Sequence, residues 1–451
     1  MKQIKTILTI VLLGFLTSCS KHDNEASAID LSVTLSFAGD DQGLGLPLEN
    51  ATVTINNNTN GQSYSAKTNA SGIATFSSIV PGNYSANATL TITAANYIAL
   101  TGIPTEDDIQ YNASITGTSI ISANSTFAMT LEAGRIGDLV IKQFYYAGSN
   151  TSQGAGFRDE FVEIYNNSND TIFLDSLYIG NTWANTNRLS TGAETFDWSQ
   201  SIGMPTGIGD ASKDYLYFRY LFMIPGSGVD HPLAPGQSIV IAQTAINHAE
   251  TYTDNSGRVQ SIIDPTLTVD LSKADWETYL VDYNRTTADD PASYTPYRWD
   301  LDNPLVPNIT VFFVSSSNDW VFDATGREDL LIFKIPGDKP TTFPTYPAPN
   351  VTAVTSNTKT YMQIPASYII DAVEIETPIP ANRTPKRLPN VLDAGPTFVT
   401  GGQYSSQSLV RKTAKTLTSG RRVLQDTNNS EADFFTKTKA DPSKTDASFT
   451  E

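Results

Sequence analysis

Apolar and polar residues alternate with a period of two along much of residues 30–132. Such alternation is typical of strands that bury one face and expose the other. Segments rich in Asn, Gly, Pro and Ser separate the runs and predict tight turns. The alternating runs lie at residues 31–37, 51–55 and 89–92, and the turn segments at 56–61, 69–72 and 81–83. The pattern predicts a small antiparallel β-sandwich over residues 30–132.

Strands are also predicted beyond this segment. Residues 309–314 and 330–335 are short apolar runs bounded by Asn, Gly and Pro, which is typical of buried strands, and residues 373–376 alternate. We therefore expect an all-β protein whose second, larger β domain covers residues 136–435 and carries long loop insertions. Residues 436–451 show no apolar period, which predicts a disordered tail.

The charge balance excludes one class of partner. The 451 residues carry 29 Lys and Arg against 47 Asp and Glu, a formal net charge of −18. Because nucleic-acid binding depends on basic side chains that displace counterions from phosphates, we expect no nucleic-acid partner. The charged fraction of only 17% also argues against a disordered acidic chain, and the wealth of Thr, Ser, Asn, Gly and Pro argues against helical bundles.

The first residues predict an export signal. Residues 1–18 start with basic side chains and continue into an apolar stretch, which is typical of a secretory signal peptide. The stretch ends in Leu-Thr-Ser-Cys, which resembles the bacterial lipobox, and Cys19 is the only cysteine of the chain. The resemblance implies that Cys19 is lipidated, and several acyl chains anchor a protein stably in a membrane. Residues 19–29 then form an acylated tether, and their start resembles the surface-export signal of Bacteroidota lipoproteins.

Two resemblances refine the predicted domains. A strand at 48–53, a turn and aromatic strand at 68–76 and a Pro-Gly-Asn-Tyr turn at 81–84 resemble the carboxypeptidase-regulatory-like, transthyretin-like sandwich. Strands at 138–146, 159–167 and 170–179, and a Leu-Ala-Pro-Gly turn that starts the strand at 233–242, resemble the lamin-tail type of immunoglobulin-like sandwich. The first resemblance implies a structural or adhesive module without catalytic activity.

The anchor and the two domains together resemble an uncharacterised family of Bacteroidota outer-membrane lipoproteins. This resemblance implies a lipid-anchored protein of the outer membrane, with its domains at the cell surface. It also implies a TonB-dependent outer-membrane transporter as partner.

Catalytic chemistry is poorly represented. With Cys19 committed to lipid, no cysteine nucleophile remains, and the chain has no Gly-x-Ser-x-Gly motif. The histidines are His22, His231 and His248, none of them in a metal-ligand spacing, and a zinc site needs three or four ligands. We therefore expect a protein that is not an enzyme, with His231 and His248 as solvent-facing loop residues.

One oxygen-rich segment makes calcium a candidate cofactor. Asp426, Asn428, Ser430 and Asp433 alternate along the chain, and calcium binds six to eight oxygen ligands of these types. The glycine and the closing glutamate of an EF-hand are missing. The alternative is an Asx-rich turn after a strand, and we expect no other metal or cofactor.

Residues 274–304 form the candidate ligand-binding surface, because they combine aromatic and acidic side chains. Aromatic faces contact sugar rings or organic cations, and nearby carboxylates accept their hydroxyl or ammonium hydrogens. The alternative is that the aromatic side chains cap a sandwich core. The candidate residues are Trp276, Tyr279, Tyr283, Tyr294, Tyr297 and Trp299.

These observations predict a cell-envelope lipoprotein that binds a small-molecule or glycan ligand without catalysis. One alternative is an adhesive or assembly protein that binds another protein or a glycan. A glycan hydrolase that uses paired carboxylates within residues 270–304 is a further alternative.

Overall fold

The computed structural model describes residues 28–58, 60–102, 108–120, 125–134, 138–182, 197–288, 290–337 and 342–450. The predicted signal peptide, Cys19 and nearly all of the predicted tether lie outside these residues. Within the described ranges, no helix has the length and apolar character needed to cross a bilayer.

The first unit is a β-sandwich with one short helix. Its elements are β1 (Ile29–Phe37), β2 (Thr52–Asn57), β3 (Ser63–Lys67), β4 (Ile73–Ile79), β5 (Gly82–Ile92), α1 (Ala94–Thr101), β6 (Ile109–Ile120) and β7 (Ser125–Gly134). The strands pair in the order β3-β2-β5-β6-β7-β1-β4, and β1 runs parallel to β7. Strand β1 buries every second side chain, as the alternation predicts.

A glycine sets one of the predicted turns of this unit. Gly72 has a φ of 73°, and a Cβ atom added there would lie 2.8 Å from Leu48 Cδ1. Both the left-handed backbone and this close approach favour glycine. The turn leads into β4, which pairs with β1.

The second unit contains the remaining strands and helices. Its elements are β8 (Leu139–Tyr145), β9 (Phe161–Asn166), β10 (Ile172–Phe173), β11 (Tyr178–Thr182), β12 (Tyr215–Met223), β13 (Pro232–Leu233), β14 (Ser238–Ala242), β15 (Tyr252–Thr253), β16 (Val259–Gln260), β17 (Trp276–Glu277), α2 (Val281–Thr287), β18 (Thr310–Val314), β19 (Asp329–Phe333), β20 (Thr345–Pro347), β21 (Thr360–Pro365), β22 (Ile369–Glu374), β23 (Ser408–Arg411), β24 (Thr413–Thr416), β25 (Arg422–Leu424), α3 (Ser430–Asp433) and β26 (Phe434–Lys437). Short 3-10 helices lie at Gly39–Gly43 in the first unit and at Trp198–Gln200, Pro265–Leu267, Ala366–Tyr368, Pro380–Asn382 and Asp446–Phe449 in the second.

Two sheets of this second unit enclose the largest core. One sheet has the order β20-β21-β12-β11-β19-β22, with β18 also paired to β12, and the other has the order β17-β14-β9-β8-β23-β26. Ile164 and Ile241 of the second sheet meet Phe222 and Ile332 of the first in this core, around the buried ring of Trp320. The protein is therefore all-β and built of sandwiches, which confirms the predicted fold class.

A buried arginine links the two sheets. Arg411 of β23 is 1% exposed and pairs with Asp371 of β22 at 2.6 Å. The same Asp371 oxygen accepts the N–H of Ile141 in β8 at 2.6 Å. These bonds compensate the desolvation of the charges and hold β22 against β8.

The prediction that residues 436–451 form a disordered tail is wrong for residues 436–450, which pack against β8 through specific contacts. Gln143 of β8 forms two hydrogen bonds with the main chain of Asp441, at 2.7 and 3.0 Å. Lys142 donates to the Ser448 hydroxyl at 2.7 Å and lies 3.5 Å from the Phe449 ring centroid. The segment lacks an apolar period because it crosses a sheet through polar contacts and a single aromatic ring.

Candidate functional site

Residues 274–304 contain β17 and helix α2 and form most of the connection from β17 to β18. Two buried carboxylates hold this connection. Glu277 accepts two main-chain N–H groups, at 2.7 and 2.6 Å, and Asp300 accepts the N–H of Leu280 at 2.9 Å. The carboxylates replace the backbone partners that a segment with little regular structure lacks.

One of the six predicted aromatic contacts lies in the core. Trp276 is 7% exposed and packs in the core between the two sheets. The ring of His231 meets it edge-on, with a centroid distance of 4.9 Å. Trp276 therefore supports the sandwich, in agreement with the core-capping alternative, and offers little surface to a ligand.

Three of the predicted tyrosines lie within α2 or close to it along the chain. Tyr279, Tyr283 and Tyr294 are all half-buried. The Tyr283 hydroxyl accepts the N–H of Val314 at 3.2 Å, which ties α2 to β18. The Tyr294 ring centroid lies 6.0 Å from the guanidinium of Arg285. These rings mainly position the helix.

Two arginines hold the remaining aromatic pair, Tyr297 and Trp299. The guanidinium carbon of Arg158 lies 4.9 Å from the Trp299 ring centroid and 5.9 Å from that of Tyr297. The guanidinium carbon of Arg298 lies 4.2 Å from the Trp299 ring centroid. Arg158 is itself fixed by an ion pair with Asp319. Cation–π contacts therefore hold these two rings, which are partly exposed like the three tyrosines above. We call Tyr297 and Trp299 the aromatic pair.

The acidic side chains of residues 274–304 fall into a buried group and an exposed group. Burial raises the pKa of Glu277 to about 7 and that of Asp300 to about 8, with repulsion from Asp319 adding to the effect at Asp300. Both are enclosed and bound to main-chain N–H groups, so they stabilise the loop rather than face a substrate. The described acids that are exposed are Asp282, Asp290 and Asp302, and Asp289 lies outside the described residues.

The raised pKa of Asp300 predicts a pH-dependent stability. The Asp300 carboxyl has a pKa of about 3.9 in the unfolded chain and about 8 in the folded protein, so the folded protein binds the proton more tightly. This contribution to stability is complete below about pH 4 and is lost as the pH rises through about 8. Asparagine retains an oxygen for the Leu280 N–H but carries no charge. We expect Asp300→Asn to raise the free energy of unfolding by about 3–4 kcal/mol more at pH 8 than at pH 5.

Urea unfolding at the two pH values measures this difference. Asp302→Asn, at an exposed position, is the control and should leave the pH dependence unchanged. Equal pH dependence in Asp300→Asn and the wild type would contradict the prediction.

The four predicted calcium ligands do not converge on one point. Asp426 and Asp433 both pair with Arg411, at 3.0 and 3.5 Å. Ser430 donates to another carboxylate at 2.5 Å, and the Asn428 amide donates to a main-chain carbonyl at 2.9 Å. The segment thus has the geometry of the alternative, a turn held by polar contacts. In the part of the chain that the structure describes, no three His, Cys, Asp or Glu side chains are grouped to hold a metal ion.

The prediction that both loop histidines face solvent is wrong for His248, which is 1% exposed. Its Nε2 lies 3.0 Å from the carbonyl oxygen of Thr244. Burial lowers its pKa to about 4, so the ring is neutral at physiological pH. His231 is partly exposed beside Trp276, and His22 lies outside the described residues.

The arginine that supports the aromatic pair is not among the residues predicted from the sequence. Arg158 and Asp319 lie far from Trp299 along the chain, and only folding brings the three together. The sequence feature that could have indicated Arg158 is the run of three charged residues at 158–160, immediately before the buried strand β9. Charges next to a buried strand indicate internal partners.

These features define an all-β protein of stacked sandwiches, of which the first is immunoglobulin-like. A family model described as a DR_A0283-like, Ig-like domain matches residues 31–138. A second family model, DUF4876, described as a protein of unknown function, matches residues 234–441. No curated protein matches the chain. The carboxypeptidase-regulatory and lamin-tail resemblances stay predictions.

One solved structure is similar to this chain over most of its length. A DUF4876 family protein from Bacteroides thetaiotaomicron is 25% identical, with 90% of this chain and 94% of that chain covered, and a TM-score of 0.51. A candidate adhesin from Bacteroides ovatus is 12% identical over 51% of this chain and 88% of that chain, with a TM-score of 0.18. A candidate carbohydrate-binding protein from Bacteroides uniformis is 12% identical over 48% of this chain and 99% of that chain, with a TM-score of 0.15. Only the first similarity is close enough to support an argument about this chain.

Proposed function

We propose that this protein is a lipid-anchored binding protein of the bacterial outer membrane, exposed at the cell surface. It holds a small-molecule or glycan ligand without transforming it and serves a TonB-dependent outer-membrane transporter. The observation that carries the proposal is the aromatic pair, since Arg158 contacts both partly exposed rings and Arg298 also contacts that of Trp299. Rigid aromatic surface at a loop is typical of binding sites.

The acidic side chains support binding rather than catalysis. Glu277 and Asp300 are buried and hold main-chain N–H groups. Asp319 pairs with Arg158, and Asp254 pairs with Arg298 at 3.1 Å. A hydrolase needs two carboxyl groups that reach one bond of the substrate from an open cleft. The carboxylates named here are instead used to build the loop.

The lipobox-like sequence supports the location. The mature chain would begin at Cys19 and carry its acyl chains there, followed by a polar tether. We expect wild-type protein to fractionate with membranes and to be cleaved by proteinase K added to intact cells. Cys19→Ala should be released from the membrane. Wild-type protein that is soluble, or that is protected from protease on intact cells, contradicts the proposed location.

The transporter is tested on the same cells. Crosslinking of the anchored wild-type protein, followed by mass spectrometry, should recover an outer-membrane barrel protein. The Cys19→Ala variant, which lacks the predicted anchor, should recover much less of it. Failure to enrich a barrel protein over this control removes the transporter from the proposal and leaves ligand binding to be judged by itself.

Ligand binding is tested at the aromatic pair. A glycan array and a small-molecule thermal-shift screen on wild-type protein identify ligands. We then expect Tyr297→Ala and Trp299→Ala each to weaken binding about tenfold, which corresponds to about 1.4 kcal/mol. Tyr64→Ala, at a partly exposed ring in the first sandwich, is the control and should bind like wild type. Binding that neither site variant weakens contradicts the assignment of the site.

A further inference from the structure

A groove of about 810 Å³ lies between residues 265–274 and residues 437–444. Val240 of β14 lies in its floor, and Val269 and Leu271 line the wall formed by residues 265–274. Val240 belongs to a small cluster apart from the main core, whereas the neighbouring Ile241 points into the main core, so the groove lies on the outer face of the sheet. Its volume is within the range of about 300–1,000 Å³ that is typical of small-ligand sites.

Both walls of the groove are held in place. The main chain of Asp441 is fixed by the hydrogen bond that its carbonyl accepts from Gln143 and the one that its N–H donates to Gln143. Lys444 joins the two walls through an ion pair of 2.8 Å with Asp275. On the other wall, Leu271 donates its N–H to a main-chain carbonyl at 3.0 Å. The groove is therefore formed before any ligand arrives, which lowers the entropy cost of binding.

The groove presents two lysines from opposite walls. Lys273 and Lys439 line it and are exposed, and neither lies within ion-pair distance of a carboxylate among the described residues. The other two lysines of the groove are already used, since Lys437 donates to two main-chain carbonyls at 2.8 and 2.5 Å and Lys444 pairs with Asp275. In a chain of net charge −18, two exposed ammonium groups that line one groove and lie outside ion-pair distance of any described carboxylate form a local site for an anion.

The other residues that line the groove indicate which kind of anion fits it. Asp270 and Asp441 each accept one main-chain N–H at 2.9 Å and keep further lone pairs that accept hydroxyl hydrogens. The floor is aliphatic, and none of the lining residues is aromatic. A flat neutral sugar would gain little without an aromatic face, whereas a hydroxylated anion meets both the lysines and the carboxylates.

We infer that this groove binds a polyhydroxylated anion of mono- to disaccharide size, a sugar acid or a sugar phosphate, between Lys273 and Lys439. The inference goes beyond the proposed function, because it concerns a surface that contains neither Tyr297 nor Trp299. The groove can bind its ligand whether or not the aromatic pair binds one.

The test uses titration calorimetry on the mature chain at low ionic strength. The probes are digalacturonic acid, glucose 6-phosphate, maltose as a neutral sugar, and inorganic phosphate. We expect at least one of the two anionic sugars to bind, and Lys273→Glu and Lys439→Glu each to weaken that binding tenfold or more. Lys359→Glu, at an exposed lysine outside the groove, should bind like wild type, and thermal unfolding should show that all three variants fold.

The outcomes separate the possible sources of the anion. Binding of digalacturonic acid alone identifies a carboxylated sugar, and binding of glucose 6-phosphate alone identifies a phosphorylated one. No binding of either sugar, or binding that the two groove variants leave unchanged, overturns the inference. If maltose binds as tightly as the anionic sugars, charge plays no role in binding. If inorganic phosphate binds as tightly, the sugar plays no role. Either result overturns the inference.

Discussion

Replacement of Arg411 by methionine is expected to lower the free energy of unfolding by about 3–5 kcal/mol. Arg411 is 1% exposed and pairs with Asp371, Asp426 and Asp433, at 2.6, 3.0 and 3.5 Å. Methionine fills a similar volume but takes the guanidinium away from three buried carboxyl groups. Because Asp371 also connects β22 to β8, the loss reaches both sheets of the second unit.

The loss should depend on pH. Burial already raises the pKa of Asp371 to about 7 and that of Asp433 to about 6, although Arg411 opposes this effect. Without the arginine these carboxyl groups bind protons still more readily, so the variant regains stability as the pH falls and loses most at pH 8. Urea unfolding at pH 5 and pH 8 measures both effects.

An exposed ion pair provides the control. Arg285 and Asp282 pair at 2.7 Å, but their side chains are 45% and 79% exposed. Arg285→Met is expected to cost less than about 1 kcal/mol, because water screens the pair. A loss in Arg411→Met no larger than in this control would show that the buried cluster does not hold the sheets together.

Local alternation was sufficient to predict the fold class. The run at 31–37 lies within β1 (Ile29–Phe37), and the apolar runs at 309–314 and 330–335 overlap β18 (Thr310–Val314) and β19 (Asp329–Phe333). Burial of one or both faces of a strand determines which of its own positions are apolar, so the strand can be recognised from its local sequence. Which strands pair depends on distant parts of the chain, so the sheet orders were not predicted.

Buried charges were the main feature that local pattern could not predict. Glu374 and Glu376 alternate with apolar residues, which indicates a solvent-facing side, yet both are buried. Lys386 pairs with Glu374 at 2.6 Å, and Arg387 pairs with Glu376 at 3.1 Å. The two basic side chains come from a loop that folds back over the strand. The sequence of the strand alone does not indicate that they are its partners.

The candidate site was predicted in part for the same reason. Aromatic composition located the connection at 274–304, which is a property of the segment alone. Whether each ring is available depends on its neighbours. The core takes Trp276, and Arg158, from a distant loop, holds Trp299. The sequence therefore predicts a candidate segment, and only the fold shows which of its rings are buried in the core.

Replacement of Phe449 by alanine is expected to lower the free energy of unfolding by about 3 kcal/mol. The Phe449 ring centroid lies 3.5 Å from Lys142 Nζ and 5.9 Å from the Tyr165 ring centroid. Lys142 is fully buried, forms an ion pair of 2.7 Å with Glu163, and has its pKa lowered by burial. Removing the ring admits water to this pair and loosens the segment that crosses the sheet.

Asp446→Ala tests whether the effect belongs to the ring or to any change in the terminal segment. The Asp446 side chain is 94% exposed and pairs with Arg422 at 3.2 Å, so its loss should cost less than about 1 kcal/mol. Urea unfolding measures both variants, and limited proteolysis should cleave Phe449→Ala within residues 438–450 faster than Asp446→Ala. Equal stability and equal cleavage of the two variants would mean that the terminal segment only rests on the sheet. The larger loss in Phe449→Ala would instead make this segment part of the sandwich, because a buried lysine on β8 depends on it for one face of its environment.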